Sequence, residues 1–443
     1  MGIIGCILGF LIVIYLCYKN WSVYLATFLG ACAVMLFTRT SFVSGLLDPN
    51  TGFVSGIYVA IKGFFFMLVF GSILGRIYTE SGAATAIADW ILKLFLKDNS
   101  STTKKNCTVI GIVLLFGGLL SMGGIIAGCV PILMYPVALA LFEKCDIPKR
   151  YILGVLCAGS YSFSLTLPGS PEVTNVAAMT CLGTSATVCA IPGIFGAIAE
   201  IITTLILMNK IMSCAEARGE HFAYHPDDPR YDSSISKPNI VVCFIPIVAL
   251  FVLFNVFKVN INACLVVNSV LALILFWPQM KSKNIRAILN TGAESGVPMC
   301  LTVGAICGFA AVVTNTAAFQ TIEKALISLP LPPIIVCAVA VALMAMLTGG
   351  SSTSQLIVLP QIAPKLEALG LDKAIIHRVS CFAATTLDSM PYCGSILMLL
   401  PMSKLSLKEA YPALFITTVV SNAVGTIVVI LMCTLFPHLA LIG

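Results

Sequence analysis

Residues 334–360 read "IIVCAVAVALMAMLTGGSSTSQLIVLP". Fourteen apolar residues lead into Thr348, Gly349 and Gly350. Ser351, Ser352, Thr353 and Ser354 follow, and then apolar residues resume. The polar patch is too polar to face lipid. It is a loop in water, a packing seam between helices, or irregular backbone held at membrane depth.

Composition narrows the choice. Of the 443 residues, 59% are hydrophobic and 10% charged, and the mean hydropathy is +1.02. Soluble domains carry about 25% charged residues, so the chain is an integral membrane protein. Many apolar runs have the length of a membrane-spanning helix, and the alternating pattern of a β-barrel is missing. The class is therefore all-α. The first run, 2–18, lacks a basic start and a small-residue cleavage site, and reads as a first crossing. The 18 cysteines are scattered singly without a CxxC pair. They read as small hydrophobes rather than metal ligands. A net charge of +6 confined to short loops speaks to topology, not to nucleic acid.

Runs at about 3–18, 22–37, 55–77, 186–209, 240–257, 262–277, 296–314 and 411–436 read as plain crossings. Residues 108–142 and 331–369 each hold two apolar arms around a Gly/Ser-rich centre, the pattern of a re-entrant hairpin. Residues 150–182 and 374–402 each hold a crossing broken by Pro and Gly. Residues 82–97 and 317–329 are short and amphipathic, as expected at the interface. Residues 213–239 form the one long polar segment.

The features recur in order. "GSILG" (71–75) matches "GAICG" (304–308), and "TESGAATAI" (79–87) matches "TNTAAFQTI" (314–322). "SMGG" (121–124) matches "LTGG" (347–350), and "LTLPGSPE" (165–172) falls over "DSMPYCGS" (388–395). We read two copies, 1–212 and 240–443, joined by the linker 213–239. Each has five crossings plus one hairpin, about ten crossings in all. An odd number inverts the second copy, which is the inverted-repeat architecture of secondary transporters. Alternating the sides puts most of the 25 lysines and arginines on the linker side. That side is then cytoplasmic and both termini lie outside the cell (inner) membrane.

Irregular backbone survives at membrane depth only where protein or a water-filled cavity satisfies it. Four such places are expected to converge on a substrate: 121–128, 167–175, 348–354 and 387–395. Helix ends at breaks present free N–H groups and positive dipole ends, which suit a carboxylate. Candidate contacts are Ser121, Gly123 and Gly124; Gly169, Ser170 and Asn175; Gly349, Gly350, Ser351, Ser352, Thr353 and Ser354; and Tyr392, Gly394 and Ser395. The second hairpin has more hydroxyls and is expected to make more of the polar contacts. Ionisable residues within spans are functional candidates by default. Asp388 and then Glu172 are the candidates for proton coupling; for Asp388 a plain helix cap is the competing role. Glu200 and Glu294 are expected in interfacial or packing roles. Lys62 either snorkels or pairs with an intramembrane acid. His377 and Arg378 read as an outer gate or as interfacial anchors.

The run "LGLDKAIIHRVSCFAATTLDSMPYCGSILMLL" (369–400) resembles the gluconate permease (GntP) family of the ion transporter superfamily. "SGVPMCLTVGAICGFAAVV" (295–313) and "TLPGSPEVTN" (166–175) are similar to segments of that family, and the likeness covers essentially the whole chain. It implies proton-coupled uptake of a small organic monocarboxylate such as gluconate, another sugar acid or a short hydroxy acid. It also implies two re-entrant hairpins and a homodimer. The family usually has His where this chain has Tyr392, and tyrosine does not titrate near neutral pH. The proton role then falls to Asp388 or Glu172, or sodium is the coupling ion.

The expected partners are a small organic anion and the lipid bilayer, with no cofactor, no resident metal and no nucleic acid. An anion channel is the distant alternative, but channels repeat a pore element around an axis through subunits. A membrane enzyme needs a nucleophile–base pair or metal ligands at depth. The four histidines, His221, His225, His377 and His438, fall in the linker or near membrane edges.

Overall fold

The computed structural model describes residues 2–19, 21–95, 101–122, 127–128, 130–226, 228, 237–257, 259–327 and 331–440. Among these residues the secondary structure is helical, with no strand.

The first half begins with α1 (Gly2–Tyr18), α2 (Val23–Thr38), short α3 (Phe42–Leu47) and long α4 (Phe53–Glu80). Amphipathic α5 (Ala83–Phe95) precedes a helix pair, α6 (Thr102–Met122) and α7 (Val130–Cys145). A crossing in pieces follows: α8 (Ile152–Ser160), α9 (Phe163–Thr166) and α10 (Val173–Leu182). Long α11 (Ala190–Ala217) closes the half, and runs five residues into the stretch expected to be linker.

The second half repeats this order. It has α12 (Ile240–Asn255), α13 (Ile261–Leu275), short α14 (Trp277–Met280), long α15 (Ile285–Thr314) and amphipathic α16 (Ala317–Ile327). The pair α17 (Pro333–Thr348) and α18 (Ser351–Ala368) precedes α19 (Lys373–Thr386), α20 (Gly394–Leu397) and α21 (Leu400–Ser403). A last long helix comprises α22 (Leu407–Leu414), a π-helical turn at Phe415–Val420, and α23 (Ser421–Leu435), before α24 (Pro437–Ala440). Local chemistry sets the ends. The side chains of Asn239, Asn260 and Asp372 accept from the backbone N–H groups of Val241, Asn262 and Ala374 and start their helices. Ser406 and Glu409 form a capping box.

Length separates two kinds of helix. Thr102–Met122, Ala190–Ala217, Ile285–Thr314 and Leu407–Leu435 are long and apolar enough to cross a membrane. The pieces α8 and α10, of 9 and 10 residues, reach only about 14–15 Å at 1.5 Å per residue. Half a bilayer core is about that deep, so each piece ends where polar atoms must find protein partners.

The helices sort into two packed bodies. In one, α4 and α15 run against each other, flanked by α1, α2, α12 and α13. The pairings mirror across the halves: α2 lies on α15 as α13 lies on α4, and α1 meets α16 as α12 meets α5. Small residues allow the close approach of α4 and α15. A Cβ at Gly296 would come 2.6 Å from Val69 Cα, and one at Gly56 2.2 Å from the Cys307 carbonyl carbon. The other body holds the helix pairs α6–α7 and α17–α18, the broken crossings, and also α11 and α22–α23. Two plain crossings therefore belong with the broken unit. Their polar faces explain this, because α11 and α23 bury Glu200, Thr204, Ser421 and Asn422 against the broken crossings.

On the linker side, ion pairs pin the loops. Lys149 donates to Asp228 at 2.6 Å, and both are buried. Lys144 and Lys237 both pair with Asp89, and Lys283 and Arg76 both pair with Glu80. Glu294 is exposed into a cavity of about 580 Å³ on this side of the molecule, in keeping with an edge role. Lys62 is exposed beside Tyr58, Phe65 and Phe66 on the lipid-facing side of α4.

Candidate substrate site

One cavity of about 360 Å³ is lined by residues of all four breaks: Ala127 and Gly128, Glu172 and Val173, Thr348–Thr353, and Asp388 with Tyr392–Ser395. Two helices of useful length begin on it. The first is α18, whose N-terminal Ser351, Ser352 and Thr353 line it directly; the second is α10, which begins at Val173. At the head of each, the first N–H groups have no partner within the helix, and the dipole leaves partial positive charge. Gly349 (φ +65°) ends α17 in the left-handed conformation and lets α18 start two residues later, at Ser351.

The two acids are held alike. Ser121 Oγ, at the end of α6, donates to Glu172 Oε1 at 2.5 Å. The Ser351 hydroxyl, at the head of α18, lies beside the Asp388 carboxylate on the cavity wall, and Ser389 Oγ donates to Asp388 Oδ1 at 2.8 Å. Each broken crossing thus presents an acid to a serine of the helix pair in its own half. A bond between halves completes the link: Thr174 Oγ1 and Ser351 Oγ lie 2.9 Å apart. Both acids are largely buried, and among the described lining residues they are the only charged side chains.

Several candidates fall elsewhere. Gly123 and Gly124 lie outside the described residues. Ser121 stands one layer behind the wall, on Glu172. Gly169 (φ +83°) turns the chain away from the cavity, and its N–H donates to the Ala186 carbonyl at 2.9 Å. Ser170 is buried with its hydroxyl on the Ser164 carbonyl, and Asn175 with its amide on the Ser170 carbonyl. Ser354 is fully buried on the Ser351 carbonyl. These four, Gly169, Ser170, Asn175 and Ser354, brace the breaks instead of lining them. Tyr392 does line the cavity, but its hydroxyl donates to the Met346 carbonyl at 2.5 Å. Its hydrogen bond is committed to the helix pair, and its ring lies 4.7 Å from that of Phe10. Ser352 and Thr353 remain open: among the described residues neither hydroxyl has a partner.

His377 and Arg378 correct another expectation. Neither sits exposed as an interfacial anchor would, since both are fully buried. His377 lies 2.6 Å from Thr184 Oγ1 through Nδ1 and 2.8 Å from Asn175 Oδ1 through Nε2. Arg378 donates to the carbonyls of Thr166, Ala186 and Val188 at 2.7, 2.9 and 2.8 Å. Together they tie the second broken crossing to the first. Glu200, expected in an interfacial or packing role, is fully buried, which leaves the packing alternative of the two.

Sequence reading missed the apolar wall. Phe10 of α1 and Val303, Ile306 and Phe309 of α15 close the cavity opposite the polar breaks. Phe10 and Phe309 meet edge to face at 5.1 Å. A Phe or Ile in an apolar helix carries no signal that separates cavity wall from lipid face. Among the described residues no cluster of His, Cys, Asp and Glu is arranged to hold a metal ion.

Comparison with known proteins bears on this geometry. The "Uncharacterized transporter YxjC" of Bacillus subtilis is 21% identical, with 96% of this chain and 97% of that protein aligned. Among solved structures, the Alcanivorax borkumensis YdaH transporter is similar over 94% of this chain and 99% of its own, at 13% identity and a TM-score of 0.41. A family model described as "Citrate transporter" (CitMHS) matches residues 10–289, more than half of the chain. With its apolar helices and a polar cavity built from helix breaks, the chain is a multi-pass membrane transporter, not an enzyme, and it belongs to the citrate transporter family.

Proposed function

We propose that this protein is a secondary active symporter that carries a small, citrate-like organic carboxylate together with protons by alternating access. The observation that carries the reading is the charge inventory of the cavity. Two helix N-termini and the free hydroxyls of Ser352 and Thr353 suit an anion, yet the charged side chains on the wall are acids, Glu172 and Asp388. A carboxylate set beside two buried carboxylates is repelled. Protonating those acids removes the repulsion and also supplies O–H donors to the substrate. Substrate and protons then bind together and leave together.

The apolar wall of Phe10, Ile306 and Phe309 excludes water from one side of the bound anion and strengthens its polar contacts on the other. The body holding α6–α11 and α17–α23 is the natural moving unit, because the site's polar walls belong to it and the apolar wall belongs to the α4/α15 body. In the same reading the halves are inverted copies and the helix pairs are re-entrant hairpins. The chain is a homodimer with both termini outside. A protease site inserted after Arg218 tests the topology: cleavage must come from the cytoplasmic side.

The decisive experiment is uptake of labelled citrate and of labelled gluconate into proteoliposomes under an imposed pH gradient or sodium gradient. The reading expects citrate to accumulate with the pH gradient. Accumulation that follows sodium and ignores pH removes the proton claim. Preference for gluconate over citrate moves the substrate to the hydroxy monocarboxylates, which the resemblance at residues 369–400 favours.

A further inference from the structure

Behind the substrate cavity, α11 and α23 enclose a second buried polar group. Glu200 is fully buried at the middle of α11. Its Oε2 accepts one hydrogen bond, from Thr166 Oγ1 at 3.2 Å, at the end of α9 where the first broken crossing stops. Its Oε1 is buried and has no partner. A notch holds that oxygen: a Cβ at Gly425 of α23 would come 2.7 Å from Oε1 and 2.6 Å from Cγ. One turn along, Thr204 donates to Ser421 at 2.9 Å, where the π-helical turn Phe415–Val420 ends. Such turns break the regular ladder and concentrate at functional places.

The charges around Glu200 are few. Thr166 also bonds Arg378, its carbonyl accepting from Nη1 at 2.7 Å while its hydroxyl donates to Glu200. The carboxyl and the guanidinium therefore sit on opposite sides of one threonine without touching. Among the described residues Arg378 has no ion pair. The elements packed on α11 add little else. The π turn and α9 carry no ionisable group, α8 offers Cys157, α23 offers Cys433 and α24 offers His438. Lys104, Lys105 and Cys107 of α6 lie toward its far end, where Asn106 meets Ser213. Thirteen residues along α11 separate Ser213 from Glu200, about 20 Å.

A buried carboxylate oxygen without a partner is costly as a charge, and a proton on the group relieves that cost. We propose that Glu200 is a proton-binding site distinct from the substrate cavity, loading and releasing one of the protons that move with the substrate. The inference rests on the proton-symport reading and deepens it. When Glu200 is neutral, the acid can turn its O–H in the Gly425 notch. When it is ionised, its charge lies toward Arg378 through Thr166. Since Thr166 borders the break that holds Glu172, the state of Glu200 is felt at the first acid of the cavity without direct contact.

The test uses the full chain in proteoliposomes with labelled citrate. Glu200→Gln keeps the shape and the acceptor for Thr166 but cannot exchange a proton. At an imposed gradient of one pH unit, each coupled proton supports about tenfold accumulation. The variant is expected to accumulate about tenfold less than wild type and to move one proton fewer per substrate. Infrared difference spectra across a pH titration supply a second readout, in which a buried protonated-carboxyl band of the wild type is missing from Glu200→Gln. Gly425→Ala, which crowds the notch, is expected to shift that band rather than remove it. If wild-type uptake ignores pH, symport and inference fall together. If the wild type accumulates and Glu200→Gln keeps the same proton ratio and the same band, only the inference falls.

Discussion

The two bodies of this transporter use the same kinds of helix for opposite ends. Around α4 and α15, glycines bring two long helices together and the contact is apolar. Around the broken crossings, the packing is filled with polar groups: Arg378, the largest fully buried side chain among the described residues, together with His377, Asn422, Thr385 and Glu200. Asn422 Nδ2 alone donates to two carbonyls, those of Tyr161 and Thr385, at 2.9 Å each. A broken helix leaves carbonyls and N–H groups that hydrocarbon cannot satisfy, so its neighbours must supply partners. The cost of a break is a polar surround, and that surround makes the place able to bind an ion or an anion.

The contrast is sharpened most by removing the acids. Asp388→Asn is expected to lower pH-driven accumulation about tenfold per unit of imposed gradient, and Glu172→Gln to do the same. Flux assays on each variant check this, and an undiminished proton ratio in either removes that acid from the coupling. Next comes the clamp. Arg378→Leu strips the donors from the carbonyls of Thr166, Ala186 and Val188, and should destabilise by about 3–5 kcal/mol, as breaking a buried polar network does. Arg378→Lys, with a single donor head, should lose less. Thermal melts in detergent rank the two, and equal melting temperatures for leucine and wild type would contradict the clamp.

In the apolar body the expected fault is steric. Gly296→Leu must push α4 from α15, where even a Cβ would meet Val69 Cα at 2.6 Å. Overpacking of this kind costs about 1–3 kcal/mol. A melt unchanged by Gly296→Leu would mean that the two helices do not meet so closely. The smallest effect lies outside the membrane. Partial burial pushes the Asp89 carboxyl up, but Lys144 and Lys237 outweigh it and hold it below the usual carboxylate range. A depressed folded value stabilises above the unfolded value of about pH 4 and loses that contribution as pH falls through the folded value. Asp89→Asn should cost up to about 1 kcal/mol at pH 7, and the difference from wild type should shrink as pH falls below about 4. Paired melts at pH 7 and pH 3 measure it.

Sequence reading reached the breaks because they violate a rule: Gly, Ser, Thr, Asp and Glu stand where lipid demands apolar residues. It did not reach the roles of residues whose type carries no such conflict. Phe10 and Phe309 line the cavity but look like any membrane phenylalanine. His377 and Arg378 lie one turn into α19, a place where polar residues commonly anchor to headgroups, so an edge role was the natural expectation. Only the loop at 184–188, folded back over them, makes them core. Gly169, Ser170 and Asn175 belong to a break and so read as contacts. The brace behind a break uses the same residue types as its face, and pattern cannot tell front from back.

The bond between Thr174 and Ser351 has a consequence for how firmly the two halves hold each other. It joins the head of α10 to the head of α18 across the two halves of the chain. A pair of neutral hydroxyls is worth about 1 kcal/mol net, little more than the thermal energy, so the two heads part at small cost. A carboxylate and a lysine at the same two positions would weld the halves together at a depth where no water helps to part them. Threonine and serine leave the two helix heads joined but adjustable, so the polar wall they share is not locked into one shape.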